Sequence, residues 1–174
     1  MYCVIDTERI KGNQIYLFSY QLYDENFKLH ESKTYQDISI DVSNRKSPKR
    51  KVGELDSISI KVESFKELYE IIRIFMEDNL TIVFSLTDVH TFKGNCKANG
   101  IEYKKIKCID LQEVLYNISE DDKRKSNLKG YCEENKIKHN PHIPKSDCEA
   151  TFKLFQNLIT KFGLDYLLSI AKEC

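Results

Sequence analysis

The chain has 174 residues, of which 41% are hydrophobic and 31% are charged, and this profile predicts one soluble globular domain spanning residues 1–174. The 27 lysines and arginines balance the 27 aspartates and glutamates, so a basic coat for nucleic acid over the whole surface is excluded. No apolar run approaches the roughly 20 residues of a membrane helix, and the N-terminus lacks the basic leader of a signal peptide, so we expect no membrane contact.

The N-terminal residues have the pattern of β-strands. Residues 2–6 form a short apolar run typical of a buried strand, and residues 14–23 are rich in aromatic and branched side chains. Residues 24–26 indicate a hairpin turn, after which residues 27–35 are predicted to form a third strand. Three antiparallel strands are therefore expected at the start of the sheet.

A basic stretch follows within residues 41–57. Five cations surround its proline, namely Arg45, Lys46, Lys49, Arg50 and Lys51. A solvated loop is the simpler interpretation, and an arm that contacts phosphate groups is the alternative.

From Ser64 onward the sequence predicts helices that alternate with strands. Ser64 and Glu67 form a capping box, in which their side chains satisfy free backbone amides at a helix start, and helical spacing continues to Phe75. Strands are predicted at 80–84 and 105–109, and helices at 87–98, at 111–118 and from a cap at Ser126 to about Asn135. This order predicts an α/β domain with a mixed central sheet flanked by helices.

The last segment has the clearest helical pattern. Ser146–Glu149 has the form of a second capping box, and apolar side chains then recur at i, i+3, i+4 and i+7 up to Phe162. We expect this amphipathic helix to pack one face against the sheet.

The six cysteines do not have the spacing of a zinc site. Their even number allows disulfides as the alternative, but four of them lie within apolar patterns, namely Cys3, Cys96, Cys108 and Cys132, which favours buried free thiols. Since no secretory signal accompanies them, the interpretation favours a cytoplasmic protein.

Acidic residues stand at the predicted strand and helix ends. Asp6 and Glu8 lie two apart on the first strand, so both carboxylates point to the same face of the sheet. Asp88 lies on the apolar stripe of its helix, where it needs a partner, although a simple helix cap is the alternative. Asp147 lies on the inward face of the last helix, where complementing the helix dipole is the alternative.

Two histidines precede the last acid. His142 stands five residues before Asp147 in a segment stiffened by Pro141 and Pro144, which helps to fix its side chain in space. His139 is the competing candidate for a role in the same site.

This ordered set resembles the DEDDh branch of the DEDD exonuclease superfamily. Val4-Ile5-Asp6-Thr7-Glu8 resembles the first exonuclease motif, the segment around Asp88 the second, and His142 with Asp147 the third. The resemblance covers nearly the whole chain in the order of the family. Arg9 stands where the family often has threonine after its first motif.

The resemblance implies a ribonuclease H-like fold and hydrolysis of nucleic acid from the 3′ end to nucleoside 5′-monophosphates. It implies two Mg²⁺ or Mn²⁺ ions held by Asp6, Glu8, Asp88 and Asp147, with His142 as the general base. The implied partner is a 3′ end of single-stranded DNA or RNA, and the chain would be a monomer or a homodimer. The alternatives are a nucleic-acid-binding module on the same fold with weak catalysis, and an unrelated α/β protein whose acids are caps and solvated strand ends.

Overall fold

The computed structural model describes residues 1–10, 12–42, 59–119 and 127–174. The basic stretch at 45–51 lies outside these ranges, so what was predicted for it stays a prediction. Ser126 also lies outside them, and the helix cap predicted there is wrong, because the cap residue is Asn127. The described residues form seven strands: β1 (Tyr2–Arg9), β2 (Ile15–Tyr23), β3 (Leu29–Asp37), β4 (Ile60–Val62), β5 (Leu80–Val83), β6 (Lys107–Asp110) and β7 (Lys172–Glu173). They form six helices: α1 (Phe65–Glu77), α2 (Thr87–Ala98), α3 (Leu111–Ile118), α4 (Leu128–Glu134), α5 (Pro144–Phe162) and α6 (Leu164–Ser169).

All of these strands belong to one sheet with the order β4-β3-β2-β1-β5-β6-β7. The first three strands are antiparallel neighbours, whereas β5 pairs in parallel with both β1 and β6. Parallel neighbours need a crossover between them, and α2 supplies it between β5 and β6. The prediction of a mixed sheet, with three antiparallel strands followed by parallel ones, is confirmed.

Helices cover both faces of the sheet, and the alternation of side chains along β1 assigns each face. Cys3 and Ile5 join the hydrophobic core that α1 and α2 form, whereas Tyr2 and Val4 join the core that α3, α4 and α5 form. Continued along the strand, this alternation places residues 6 and 8 on the α5 face and residue 7 on the α2 face. In the described ranges, no helix is both long enough and apolar enough to cross a membrane.

Side-chain caps explain where three of the six helices in the described ranges begin. The Ser64 hydroxyl accepts a hydrogen bond from the Glu67 amide at 3.2 Å, so Ser64 caps α1 as predicted. The limits predicted for α2 and α3 match the structure. Asn127 caps α4, and its side chain accepts from the Gly130 amide at 2.9 Å.

The prediction that Ser146 caps the last helix is wrong. The helix α5 begins at Pro144, with Ile143 in the cap position. A proline starts a helix well because its fixed φ suits the first turn and its missing N–H would have no partner there. Ser146 lies inside the first turn, where its hydroxyl accepts from the Asn140 amide at 2.9 Å.

The prediction of a free thiol is also wrong for Cys108, which forms a disulfide with Cys174. The pairing arises because β7 runs antiparallel to β6 and brings the last residue of the chain beside that strand. A strand of two residues has no periodicity that sequence reasoning can detect. The four remaining cysteines are buried and free, namely Cys3, Cys96, Cys132 and Cys148.

Candidate active site

The C-terminal half of β1 extends beyond its parallel neighbour β5. Val4 pairs with Ile82 near the end of β5, whereas β1 continues to Arg9 alongside β2. After Val83 the chain leaves the sheet and enters α2. The result is a crevice beside the end of β1, at the carboxyl ends of the parallel strands, where ligands of α/β proteins commonly bind.

Three carboxylates converge in this crevice on the α5 face of the sheet. Carboxylate oxygens of Asp6, Glu8 and Asp147 all lie within 4.8 Å of one another. Asp6 and Glu8 come from β1, and Asp147 comes from the first turn of α5, which packs on β1 and β2. Among the described residues, the buried Asp6 Oδ2 has no hydrogen-bond partner. A buried carboxylate oxygen in that state is costly unless a cation or a proton meets it.

Asp88 approaches the same strand end from the opposite face. Its Oδ1 accepts from the Thr7 amide at 3.1 Å and from the Thr7 hydroxyl at 2.6 Å. The alternative role as a helix cap is not observed, because the cap position of α2 is Leu86 and no side chain caps it. Sequence reasoning missed Thr7, although the alternation that points Asp6 and Glu8 to one face points the residue between them to the other.

Asp147 is held by the segment that precedes α5. His139 Nε2 donates to its Oδ1 at 2.5 Å, and the His142 amide donates to its Oδ2 at 3.0 Å. The His139 side chain is only 5% exposed, and its Nδ1 is buried with no partner in the part of the chain that the structure describes. Because donors meet both oxygens, the orientation of this carboxylate is fixed by the protein itself.

His142 has the opposite environment. Its side chain is 66% exposed, and its Nδ1 lies 3.7 Å from Glu8 Oε1. Its φ of 64° lies in the left-handed region, which costs a residue other than glycine about 1 kcal/mol or more. The imidazole therefore lies at the open side of the carboxylate cluster. The histidines for which no site role was predicted lie elsewhere, since His30 pairs with Asp24 at 3.0 Å and His90 lines a neighbouring cavity.

Burial and mutual repulsion raise the pKa values of the clustered acids. The pKa of Asp6 lies well above its ordinary value because the group is buried, and the charges of Asp88, Asp147 and Glu8 raise it further. Burial raises the pKa of Asp88 to about 6, although the hydrogen bonds from Thr7 act to lower it. Burial also raises the pKa of Asp147. Clustered carboxylate oxygens that resist ionisation in this way fit hard divalent cations such as Mg²⁺ or Mn²⁺.

The carboxylates line one wall of a crevice of about 920 Å³, large enough for a ligand the size of a nucleotide. Phe84 follows β5 on another wall, and Asn127, Leu128 and Lys129 border it at the start of α4. His139 and His142 close the side next to α5. The crevice therefore combines an acidic wall with apolar and basic residues on its other sides.

No family model and no curated protein matches this chain, whereas several solved structures do. The nuclease domain of 3'hExo, a DEDDh family member bound to rAMP, aligns over 92% of both chains with a TM-score of 0.66 and 14% identity. A 3'-exonuclease studied for 3'-end specific recognition of a histone mRNA stem-loop aligns over 92% of this chain and 82% of its own, with a TM-score of 0.67 and 13% identity. Escherichia coli exonuclease I in complex with a dT13 oligonucleotide aligns over 97% of this chain but 42% of its own, with a TM-score of 0.63 and 13% identity.

These alignments cover nearly the whole chain and confirm the ribonuclease H-like α/β fold. Within that fold, the four acids singled out in the sequence meet around the end of β1, three in one cluster and Asp88 from the other face. His142 lies beside Glu8, and His139 contacts Asp147.

Proposed function

We propose that this chain, which has the fold of DEDDh exonuclease domains, is a metal-dependent 3′→5′ exonuclease. It would hydrolyse the terminal phosphodiester of a single-stranded DNA or RNA 3′ end and release a nucleoside 5′-monophosphate. The observation that carries the proposal is the convergence of Asp6, Glu8 and Asp147 within 4.8 Å at the end of β1. Asp147 is distant from Asp6 and Glu8 along the chain, and the fold has no structural need to bring its charge beside theirs.

The residues present fit divalent cations. Asp6, Glu8 and Asp147 would hold Mg²⁺ or Mn²⁺ directly, because their oxygens are close together and one Asp6 oxygen lacks a donor among the described residues. Asp88 would add negative charge from the α2 face, acting mostly through water, because it lies outside the cluster that the other three carboxylates form. Such ions lower the pKa of an attacking water and stabilise the charge that develops on the leaving oxygen.

We assign the general base to His142. Its ring is exposed on the open side of the cluster and lies near Glu8, so an unprotonated ring nitrogen can accept the proton of the attacking water. The backbone of His142 is in the left-handed region, and its amide donates a hydrogen bond to Asp147 Oδ2. This bond couples the position of the base to the carboxylate cluster. His142 is thus free to face solvent and substrate.

We assign a positioning role to His139. Its Nε2–H donates to Asp147 Oδ1 from a buried site, so the imidazole holds the carboxylate in one orientation without reaching the substrate. Buried histidine–carboxylate pairs of this kind commonly support residues that bind metal. The two histidines would therefore serve the same reaction in different ways.

The walls of the crevice suit the end of a nucleic-acid strand. Phe84 offers an aromatic ring on which a terminal base could stack, and Lys129 offers a positive charge to a phosphate group. Of the similar structures described above, one is bound to the nucleotide rAMP, one concerns recognition of a histone mRNA stem-loop, and one is bound to the oligonucleotide dT13. These ligands support a nucleic-acid substrate for the present chain.

The test is a digestion assay with 5′-labelled single-stranded DNA and RNA, run in Mn²⁺ and again in EDTA. We expect a ladder that shortens from the 3′ end and free 5′-monophosphates in Mn²⁺ only, and a 3′-phosphorylated strand should resist digestion. Asp6→Asn and His142→Ala, purified in the same way, serve as controls for contaminating nucleases. Wild-type protein that binds the strand without shortening it would contradict the proposal and favour the binding module.

A further inference from the structure

We propose that Arg9 and the groove beside it form a subsite for a backbone phosphate next to the scissile one. This inference rests on the proposed function and extends it from the reacting phosphodiester to the adjoining part of the strand. The ligand chemistry is a phosphodiester of single-stranded nucleic acid, and the groove in question is a cavity of about 480 Å³.

Arg9 stands at the boundary between two cavities. It is the last residue of β1, directly after the register shift that separates it from Glu8 in the pairing with β2. It lines both the 920 Å³ crevice that holds the carboxylates and the 480 Å³ groove next to it. A strand whose reacting phosphate lies at the carboxylates can therefore pass this guanidinium on its way into the groove.

A specific contact holds the Arg9 side chain over the groove. Its Nη1 donates to the Thr91 hydroxyl at 2.8 Å, and Thr91 lies on α2 one turn after Asp88. A guanidinium carries five N–H donors in a planar fork, so this one bond leaves donors for the two oxygens of a phosphate. A side chain fixed by a neighbour also loses less entropy when it binds a ligand.

The charge along this path changes in the direction that a polyanion needs. Four acidic residues line the first cavity, namely Asp6, Glu8, Asp88 and Asp147, whereas none of the described residues that line the groove is acidic. Amides, hydroxyls and imidazole line the groove instead, from Asn13, Gln14, Thr87, His90, Thr91 and Asn95. A phosphate that enters the groove would therefore have Arg9 as its partner of opposite charge among the described residues that line it.

The groove has the length for an additional nucleotide. It follows α2 from Thr87 to Ala98, and the eight residues from Thr87 to Gly94 span about 10 Å at the helical rise. Gly94 lies on this face, and a Cβ atom added there would meet no other atom within 4 Å. The surface of α2 is thus open beside the strand path.

The charge of Arg9 also reaches the carboxylates, where it partly opposes the rise that burial causes in the pKa values of Asp88 and Asp6. A role confined to that effect is the competing explanation, and substrates with different numbers of phosphates separate the two. The p-nitrophenyl ester of thymidine 5′-monophosphate carries only the reacting phosphate, whereas a single-stranded decamer carries several.

The experiment compares Arg9→Gln with wild type on both substrates in Mn²⁺. Glutamine keeps a donor for Thr91 but removes the charge and the fork. We expect KM for the decamer to rise about ten-fold or more and the salt dependence of binding to fall by about one ion. The loss of kcat/KM on the nitrophenyl ester should be at least ten-fold smaller.

Arg73→Ala is the matched control, because it removes an arginine that pairs with Glu70 and Glu77 on α1 and lies outside both cavities. Arg9→Lys, which keeps the charge, should recover part of the lost affinity and guards against a folding defect in Arg9→Gln.

Equal losses of activity on the two substrates would overturn the inference and assign Arg9 to the carboxylates alone. An unchanged KM for the decamer would overturn it as well. If wild type cleaves neither substrate, the proposed function fails. Binding of a fluorescent decamer in Ca²⁺ then decides the matter, with equal affinity for wild type and Arg9→Gln refuting the subsite.

Discussion

His139 and His142 stand three residues apart between α4 and α5, yet their surroundings differ in nearly every respect. His139 is buried and donates to Asp147 Oδ1, whereas His142 faces solvent and lies near Glu8. The buried ring is suited to holding a carboxylate, because its side chain is only 5% exposed and already contacts Asp147. The exposed ring is able to exchange a proton with solvent or substrate. The roles proposed for these two histidines therefore follow from the solvent exposure of their side chains and not from their positions in the sequence.

The largest effect is expected from removing the carboxylate of Asp6, whose charge interacts with those of Glu8, Asp88 and Asp147. Asp6→Asn removes a charge from the centre of the cluster while keeping the shape of the side chain. We expect kcat to fall by roughly 10³-fold or more, since ligand and charge are lost together. Steady-state digestion of a labelled strand measures it, with Asp165→Asn on the exposed start of α6 as the control. Activity within about ten-fold of wild type would contradict the carboxylate site.

The next effect concerns His142. His142→Ala should lower kcat by roughly 10²–10⁴-fold, because the general base is lost while the carboxylates remain. Mn²⁺ affinity, measured by isothermal titration, should stay close to that of wild type. Retained turnover would shift the base to another group and remove the contrast between the two histidines.

A smaller effect with a different signature is expected for His139. His139→Ala should weaken Mn²⁺ binding and activity by about 10–100-fold, because Asp147 loses the donor that orients it. His139→Gln can place an amide N–H near the former Nε2 and should recover much of that loss. A titration of activity against Mn²⁺ concentration separates this variant from His142→Ala. If His139→Ala lowers kcat at saturating Mn²⁺ as strongly as His142→Ala does, the division of roles is wrong.

The smallest expected effect is on stability. The folded pKa of Asp88 lies at about 6, above its ordinary value of 3.8, so the folded state binds more protons than the unfolded state between these values. The free energy of unfolding therefore falls as pH rises through this window. In EDTA, Asp88→Asn should flatten this fall and raise Tm at pH 7.5 by about 2–4 °C for each kcal/mol relieved. Thermal unfolding at pH 5 and pH 7.5 tests this, and a lower Tm for the variant at pH 7.5 would contradict it.

Much of the fold was accessible from the sequence because hydrophobic periodicity reports burial directly. The strand-rich start, the limits of α2 and α3 and the cap at Ser64 all follow from local patterns. The convergence of Asp6, Glu8 and Asp147 was an expectation drawn from alternation and helix faces. The distances between their carboxylate oxygens could be read only from the structure, because these distances depend on how α5 packs against β1.

What the sequence did not provide depends on contacts between distant segments. The bond from Thr7 to Asp88 and the disulfide between Cys108 and Cys174 join residues that share no local pattern. The start of α5 at Pro144 was obscured by the capping-box pattern at Ser146, although proline alone would have indicated it. The positions of His139 and His142 in the sequence likewise do not predict which of the two rings is buried.

The carboxylates of this site come from the first strand and from a helix near the other end of the chain. Cys148, next to Asp147, is buried against the carbonyl oxygens of Val4 and Ser19, so the start of this helix packs directly on β1 and β2. A growing polypeptide on the ribosome therefore has no complete cluster until α5 emerges. If the proposed hydrolysis is correct, the nascent chain cannot carry it out before that point.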